Sequence, residues 1–176
     1  MKTNGIVRKV DGLGRVVIPR EFRKLHKISL GDPMEISCMD NGEIVLRKLD
    51  MTLTLEELSS EAVRSLSEAV SGTVLVSNTE KWIGGSGKYK NQFAGKELPE
   101  QLRKMITERK GFCCNDCREL LPWQPTDEKY PLAGEPIAGD GDVFGALFVC
   151  SDKVTVGVNE LLRVAANILG NSLQKF

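Results

Sequence analysis

The chain has 176 residues, and its 24 acidic and 24 basic side chains leave no net charge. Its 41% hydrophobic and 27% charged residues are ordinary for a globular protein and exclude disordered, collagen-like and fibrous classes. No apolar run approaches the roughly 18 residues of a membrane-spanning helix, and the first residues lead into no secretory core. We therefore expect a cytoplasmic protein with no membrane partner.

The neutral total conceals a basic segment at the start of the chain. Residues 1–27 hold eight basic side chains and two acidic ones. Such a segment in a neutral protein indicates a polyanionic partner, although on charge alone a solvated basic face is an equally good interpretation. The basic residues are Lys2, Arg8, Lys9, Arg15, Arg20, Arg23, Lys24 and Lys27.

The first 27 residues predict two short strands and a helix. Gly5–Val10 alternates as a strand does, and Asp11–Gly14 turns the chain into a second strand, Arg15–Ile18. Pro19 occupies a first-turn position that a helix tolerates, so Arg20–Lys27 is predicted to be a short helix. Its basic side chains are left largely free of the core.

A hairpin is predicted next. Met34–Cys38 and Glu43–Lys48 alternate on either side of Asn41-Gly42, and both turn residues accept the positive φ of a type I′ turn. About 50 residues make a marginal core, and the segment shows neither a disulfide pattern nor a metal site. Pairing with a second copy of the chain is the expected remedy, and it doubles the basic surface.

These residues carry a family resemblance. Gly5–Val10, Leu13–Lys24 and Gly31–Ile36 closely resemble the AbrB-type swapped-hairpin DNA-binding domain of bacterial transition-state regulators. The resemblance covers residues 1–51. It implies a homodimer whose hairpins interleave into one small, β-rich barrel with a short helix. It also implies that both protomers present basic side chains to double-stranded DNA, which places the protein on the nucleoid.

The resemblance transfers to individual positions. Arg8, Arg15 and Arg23 match the family pattern, whereas Lys24 stands where the family often has Arg and so lacks the two-pronged fork. Arginine suits the O6 and N7 atoms of guanine, and lysines such as Lys9 suit phosphates. Which arginine contacts a base stays open. The predicted DNA-binding residues are Arg8, Lys9, Arg15, Arg20, Arg23 and Lys24.

Residues 52–176 predict a second, α+β domain in which helices flank an antiparallel sheet. A capping box at Thr54 begins a helix that extends to about Val70, and a second amphipathic helix occupies the end of the chain. A loop is expected between the middle helix and the last two strands. The segments between the terminal helices are strands Gly72–Asn78 and Lys81–Gly85, helix Pro99–Lys110, and strands Leu132–Ala138 and Val143–Cys150.

Both terminal helices carry an apolar stripe. One stripe comprises Leu55, Leu58, Ala62, Leu66 and Ala69. The other comprises Leu161, Ala165, Ile168 and Ser172, flanked by Leu162, Leu169, Leu173 and Phe176. Each stripe either packs onto its own domain or forms a helix bundle between subunits, and the sequence favours neither.

A second resemblance covers this region more weakly. Leu75–Asn78, Ser86–Tyr89, Pro136-Ile137 and Phe144–Val149 resemble the GAF-like sensor domain of the stage V sporulation protein T group of regulators from spore-forming bacteria. This implies a regulatory pocket for an unidentified small-molecule effector and a homotetramer formed through the terminal helices. It also implies control of sporulation genes, as activator or repressor.

Two motifs suggest other chemistry. Gly84–Lys88 looks like part of a phosphate loop, but Trp82 and Tyr89 stand where that motif needs Gly and Ser or Thr, so a turn leaving a sheet edge is preferred. Cys113–Cys117 contains a C-x-x-C that could bind a metal or act as a thiol switch. The single His26 lies in the other domain, so ordinary reduced thiols are preferred and no metal or cofactor is predicted.

The function predicted from these features is that of a sequence-selective DNA-binding transcriptional regulator. Catalysis is not expected, because no nucleophile or acid–base constellation is recognisable. Trp123 and the proline-rich stretch Pro122–Pro136 could line a pocket, but loop packing is the preferred interpretation. The alternative function is that of an antitoxin, which shares the swapped-hairpin module but carries a disordered, partner-binding tail.

Overall fold

The structure is a computed structural model that describes residues 5–122, 130–151 and 157–175. The chain divides into two compact units, Met1–Leu49 and Asp50–Phe176. Residues 123–129 of the predicted proline-rich loop, which include Trp123 and Pro125, lie outside the described residues.

In its described residues, 5–49, unit 1 contains one short helix and one hairpin. Helix α1 spans Arg20–Leu25 and follows Pro19, whose carbonyl accepts the Arg23 N–H at 3.0 Å. Strands β1 (Met34–Cys38) and β2 (Ile44–Lys48) pair antiparallel, with Met34 opposite Lys48 and Cys38 opposite Ile44. The helix and both strands of this hairpin are therefore confirmed, although the helix is shorter than predicted.

The hairpin turn differs from the predicted type I′ turn. Gly42 has a φ of 82°, whereas Asn41 is not among the residues with positive φ. The Gly42 N–H donates to the Met39 carbonyl at 2.9 Å, and the Met39 N–H donates to the Glu43 carbonyl at 2.8 Å. This is a three-residue loop in which Gly42 alone has a positive φ. The predicted type I′ turn would have required a positive φ at both Asn41 and Gly42.

The predicted strands Gly5–Val10 and Arg15–Ile18 are not assigned as strands in this single chain. A strand is defined by hydrogen bonds to a neighbouring strand, and these segments face no ladder within their own unit. Only the turn between them closes, where the Asp11 N–H donates to the Arg15 carbonyl at 3.0 Å. An alternating sequence pattern predicts a strand without showing where its partner comes from.

Unit 2 is an α+β domain built on a five-stranded antiparallel sheet with the order β4-β3-β7-β6-β5. This confirms the predicted fold class of the C-terminal region. The helices are α2 (Met51–Ala69), α3 (Lys90–Phe93), α4 (Glu100–Thr107) and α5 (Val158–Leu173). The strands are β3 (Thr73–Ser77), β4 (Trp82–Ser86), β5 (Phe112–Cys114), β6 (Leu132–Ala138) and β7 (Val143–Cys150).

Each face of this sheet carries its own hydrophobic core. On one face α2 and α5 pack against the sheet through residues such as Leu55, Leu162 and Leu169. On the other face α3, α4 and the segment after β5 enclose Trp82 and Phe148, whose ring centroids lie 4.8 Å apart in an edge-to-face arrangement. The sheet is thus buried between two layers, which accounts for the uninterrupted burial of β3.

Helix α2 begins at Met51, before the capping box predicted at Thr54. The Asp50 side chain accepts the N–H groups of Thr52 at 3.0 Å and Leu53 at 3.4 Å, so Asp50 is the cap. The Thr54 hydroxyl instead donates to the Asp50 carbonyl at 3.1 Å. An aspartate that satisfies the first free N–H groups overrides a threonine one turn later.

Strand β5 was not predicted. Phe112–Cys114 pairs with β6, with Phe112 opposite Gly134 and Cys114 opposite Leu132, in a region expected to be a loop. Three residues are too few for an alternation pattern to be recognised.

Close packing of α5 on β6 gives a test of this fold. A Cβ at Gly170 would lie 2.1 Å from the Ala138 carbonyl oxygen. Alanine favours a helix over glycine by about 1 kcal/mol, but overpacking against backbone costs about 1 to 3 kcal/mol. We expect Gly170→Ala to lower the free energy of unfolding, measured by urea denaturation. Asn171→Ala, at the exposed neighbouring position, should not; equal stability of both variants would contradict the packing.

Candidate nucleic-acid interface

All six predicted DNA-binding side chains belong to exposed residues. Arg20, Arg23 and Lys24 are spaced by three and four along α1, so they share one face of that helix. Arg8 and Lys9 precede the turn at Asp11, and Arg15 follows it. The candidate DNA-binding residues therefore lie on one face of α1 and on the two segments that flank the turn at Asp11.

Asp11 organises the turn that carries Arg15. One carboxylate oxygen accepts the backbone N–H groups of Leu13 and Arg15, each at 2.9 Å, and the other accepts Arg15 Nε at 2.8 Å. The hydrogen bonds from Arg15 lower the pKa of Asp11, so the carboxylate remains ionised. In the sequence analysis Asp11 counted only as a negative charge. The sequence signal for its ion pair with Arg15 is an aspartate four residues before an arginine, across a turn that contains glycine.

A second ion pair fixes the residues that follow α1. Lys48 Nζ lies 2.6 Å from Asp32 Oδ2 and donates to the Lys27 carbonyl at 2.7 Å. Hydrogen bonds from Lys48 and from the Ser29 N–H lower the pKa of Asp32. The end of the helix is therefore tied to β2, which positions the basic face relative to the hairpin.

Unit 1 leaves most of its apolar side chains in solvent. Pro19 is its only buried residue within the described range 5–49. A hollow of about 570 Å³ opens between α1 and the hairpin, with Ile18, Phe22 and Val45 in its wall. The exposed large hydrophobic residues are Ile6, Val7, Val10, Leu13, Val16, Val17, Leu25, Leu30, Ile36, Met39, Ile44, Val45 and Leu46.

The α2 and α5 stripes face in two directions. Leu55 and Leu162 are buried against the sheet, whereas Leu161 and Ile168 are 45% and 61% exposed. The outward side chains of both helices line a groove of about 490 Å³. Helix α5 therefore has one apolar face for its own core and a second apolar face in solvent, and the half-buried Leu58 and Ala62 of α2 border the same groove.

Two buried polar atoms lack hydrogen-bond partners among the described residues. They are Ser77 Oγ on β3 and Trp82 Nε1 on β4, in residues that are register partners in the sheet. Ser77 also pairs with Ala146, which belongs to the core containing Trp82, so both atoms lie on the face opposite α2 and α5. A buried, unpaired polar group is costly and calls for an explanation.

The sulfur atoms of Cys114 and Cys117 in the C-x-x-C motif are placed within bonding distance of each other, where the sequence analysis expected reduced thiols. Of the other three cysteines, Cys38 and Cys113 are exposed and Cys150 is buried. In the described ranges no three His, Cys, Asp or Glu residues are grouped as a metal site would require. Within those ranges no helix is long and apolar enough to cross a membrane.

The Gly84–Lys88 segment forms the end of β4 and the turn before α3. Because β4 is the edge strand of the sheet, this is the predicted turn leaving a sheet edge.

The solved structures similar to this chain include several GAF domains. The second GAF domain of DevS from Mycobacterium smegmatis is 14% identical with a TM-score of 0.54, covering 70% of this chain and 94% of that one. The type II free methionine-R-sulfoxide reductase from Thermoplasma acidophilum is 13% identical with a TM-score of 0.55, covering 72% and 97%. At these identities the likeness shows the fold alone, and it confirms a GAF-like domain.

Family models match both units. Residues 54–174 match the model described as stage V sporulation protein T C-terminal, transcription factor. Residues 7–53 match the model described as antidote-toxin recognition MazE, bacterial antitoxin. A basic N-terminal module joined to a GAF-like domain therefore defines a DNA-binding transcriptional regulator, as the sequence predicted.

The similarity to curated proteins extends over the whole chain. Stage V sporulation protein T of Bacillus subtilis (strain 168) is 31% identical over 180 residues, covering 99% of this chain and 100% of that protein. The transition state regulatory protein AbrB of the same organism is 48% identical over 56 residues, covering 32% of this chain and 57% of AbrB. The chain belongs to the stage V sporulation protein T family.

The unpaired Ser77 hydroxyl predicts a gain in stability when it is removed. We expect Ser77→Ala to raise the free energy of unfolding of the purified protein by about 1 kcal/mol, because a buried hydroxyl without a partner costs about 1 to 3 kcal/mol. Urea denaturation measures the change. Thr73→Ala is the control, since the Thr73 hydroxyl accepts the Tyr89 N–H at 3.1 Å and its loss should destabilise. Destabilisation by Ser77→Ala would mean that the hydroxyl is paired.

Proposed function

We propose that unit 1 acts as a homodimer that binds specific double-stranded DNA through Arg8, Lys9, Arg15, Arg20, Arg23 and Lys24, and that it controls sporulation genes from the cytoplasmic nucleoid. The observation that carries the proposal is the exposed apolar surface of unit 1 beside exposed basic residues. An apolar surface of this extent needs a cover, and a second copy supplies one that is complementary by symmetry.

The swapped-hairpin arrangement is part of this proposal. Gly5–Val10 and Arg15–Ile18 alternate as strands do but have no ladder in their own chain. Exchange of these segments between two chains gives each backbone a partner and brings apolar side chains into the hollow beside α1. Both gains are needed, because unpaired backbone groups and exposed apolar side chains each disfavour the folded state.

DNA binding provides the first test of the proposed residues. We expect the full chain to select specific sequences from a promoter-rich DNA pool, with log K falling by about 0.9 per neutralised phosphate for each unit of log salt. Arg15→Ala should lose the selection while its circular dichroism spectrum is retained. Arg64→Ala, which removes an exposed arginine of unit 2, should leave it intact. A wild-type footprint from Arg15→Ala would contradict the assignment.

We propose further that the outward faces of α2 and α5 join two such dimers into a tetramer. The argument is the position of Leu58, Leu161, Val164 and Ile168 around one groove that their own unit leaves open. Helices with one inward and one outward apolar face are typical of bundles shared between subunits.

Ile168→Glu tests this interface. A carboxylate in an apolar helix bundle is desolvated without a partner, so we expect the assembly to fall from tetramer to dimer. Analytical ultracentrifugation measures the change. Leu53→Glu, at a 57% exposed apolar position of α2 outside the groove wall, should leave the tetramer intact. If Ile168→Glu remains tetrameric, the proposed interface is wrong.

A regulatory role for the GAF-like domain is also proposed. It is supported by Ser77 Oγ and Trp82 Nε1, two buried polar atoms that a small molecule with hydrogen-bond acceptors could satisfy. A ligand changes the regulator only by binding its alternative assemblies or conformations with different affinity.

Two other functions are less well supported. An antitoxin role draws on the match of residues 7–53, but it calls for a disordered tail, whereas unit 2 contains two hydrophobic cores. We propose that the chain has no catalytic activity of its own; the reductase with a similar fold is too distant for its activity to transfer. Limited proteolysis distinguishes the antitoxin role from the regulator role, because a disordered antitoxin tail would be degraded quickly whereas a folded unit 2 would resist.

A further inference from the structure

The ion pair between Asp11 and Arg15 differs from the surroundings of the other candidate DNA-binding arginines. Arg15 Nε lies 2.8 Å from Asp11 Oδ2, and the other oxygen of the same carboxylate closes the turn through two backbone N–H groups. In the described part of the chain Arg8, Arg20 and Arg23 have no carboxylate partner; Arg8 donates only to the neighbouring Val7 carbonyl. Arg15 is thus the one candidate arginine held by a carboxylate.

This ion pair is poorly suited to stabilising the fold. The Arg15 and Asp11 side chains are 71% and 43% exposed, and exposed pairs contribute little to stability because water screens them. Its effect is geometric. With Nε occupied, the two terminal nitrogens remain as a fork of donors, the arrangement that matches O6 and N7 of guanine.

The carboxylate also has a cost for binding DNA. A negative charge beside the basic face repels phosphates, so Asp11 weakens contacts that depend on charge alone. A residue that only increased affinity would not be acidic here. Repulsion of phosphates weakens binding to every sequence about equally and cancels in the ratio of two affinities, so the orientation of the arginine is what affects selectivity.

We propose that Asp11 is a positioning residue that orients the Arg15 guanidinium for reading a guanine, and that it thereby sets the sequence selectivity of the regulator. This inference rests on the proposed DNA-binding role of Arg15. It assigns base reading to Arg15 and leaves phosphate contact to lysines such as Lys9 and Lys24, which cannot make a two-pronged contact.

Asp11→Asn is the variant that tests the proposal. Asparagine retains an oxygen to accept the Leu13 and Arg15 backbone N–H groups, so the turn is kept, but it removes the charged acceptor of Arg15 Nε. We expect affinity for the sequence selected by the wild type to fall and affinity for a scrambled duplex of equal length to rise. Their ratio should drop roughly tenfold, within the range of one bidentate contact.

Matched variants separate positioning from charge and from folding. Asp40→Asn removes the same charge from the exposed β1–β2 loop and should leave the ratio unchanged. In an Arg15→Lys background, which keeps the charge but lacks the two-pronged fork, Asp11→Asn should lower the ratio no further, because its effect passes through the Arg15 guanidinium. Asp11→Ser, which also keeps a turn-closing oxygen, replaces the asparagine variant if circular dichroism shows that the latter is unfolded.

The outcomes are distinguishable. A wild-type ratio in both Asp11 variants, or an equal drop with and without Arg15, would overturn the positioning role while leaving DNA binding intact. Absence of any selective binding by the wild-type chain would instead overturn the proposed function of the interface. A lower ratio that requires Arg15 and is absent from Asp40→Asn supports the inference.

Discussion

The structure of unit 1 depends on one constraint, which is that a single copy cannot bury its own apolar side chains. Val7 is 90% exposed and Leu30 is fully exposed, while Pro19 alone is buried in the described range 5–49. Folding a segment of this size costs conformational entropy that only apolar burial can offset. In the proposed dimer the fold and the DNA-binding surface are therefore coupled, because a partner supplies the apolar contacts that one copy lacks.

Unit 2 meets the same requirement within one chain. Its sheet is covered on both faces, and large residues such as Trp82, Phe148 and Leu162 are almost fully buried. The further apolar surface on α2 and α5 is thus not needed to fold the domain and is available for association. This separates the two kinds of contact proposed for the assembly: those of unit 1 accompany folding, whereas those of unit 2 join domains that are already folded.

Strand positions that depend on the local residue pattern were predicted correctly from the sequence. Features that depend on a pairing strand or on a hydrogen-bond partner were not. The bounds of β1, β6 and β7 agree with prediction because β1 carries its own alternation and the buried strands β6 and β7 carry apolar runs. Gly5–Val10 fits the same pattern, but in one chain no ladder forms. The cap at Asp50 and the anchoring of Arg15 by Asp11 depend on which of several nearby side-chain oxygens lies within hydrogen-bond distance of a given N–H group. Residue spacing alone does not determine this.

Charge is divided between the units in a way that limits unspecific attraction to DNA. Residues 1–49 hold ten basic and six acidic side chains, whereas residues 50–176 hold fourteen basic and eighteen acidic ones. A surplus of this size gives modest, salt-sensitive affinity for any duplex. Tight binding at a chosen site then requires oriented hydrogen bonds from each protomer and several protomers acting together, since linked modules gain affinity without new contacts. Asp11, beside the arginine proposed to read a guanine, is consistent with that requirement: its charge weakens the attraction that all sequences share, and its hydrogen bond to Arg15 favours the contacts that distinguish them.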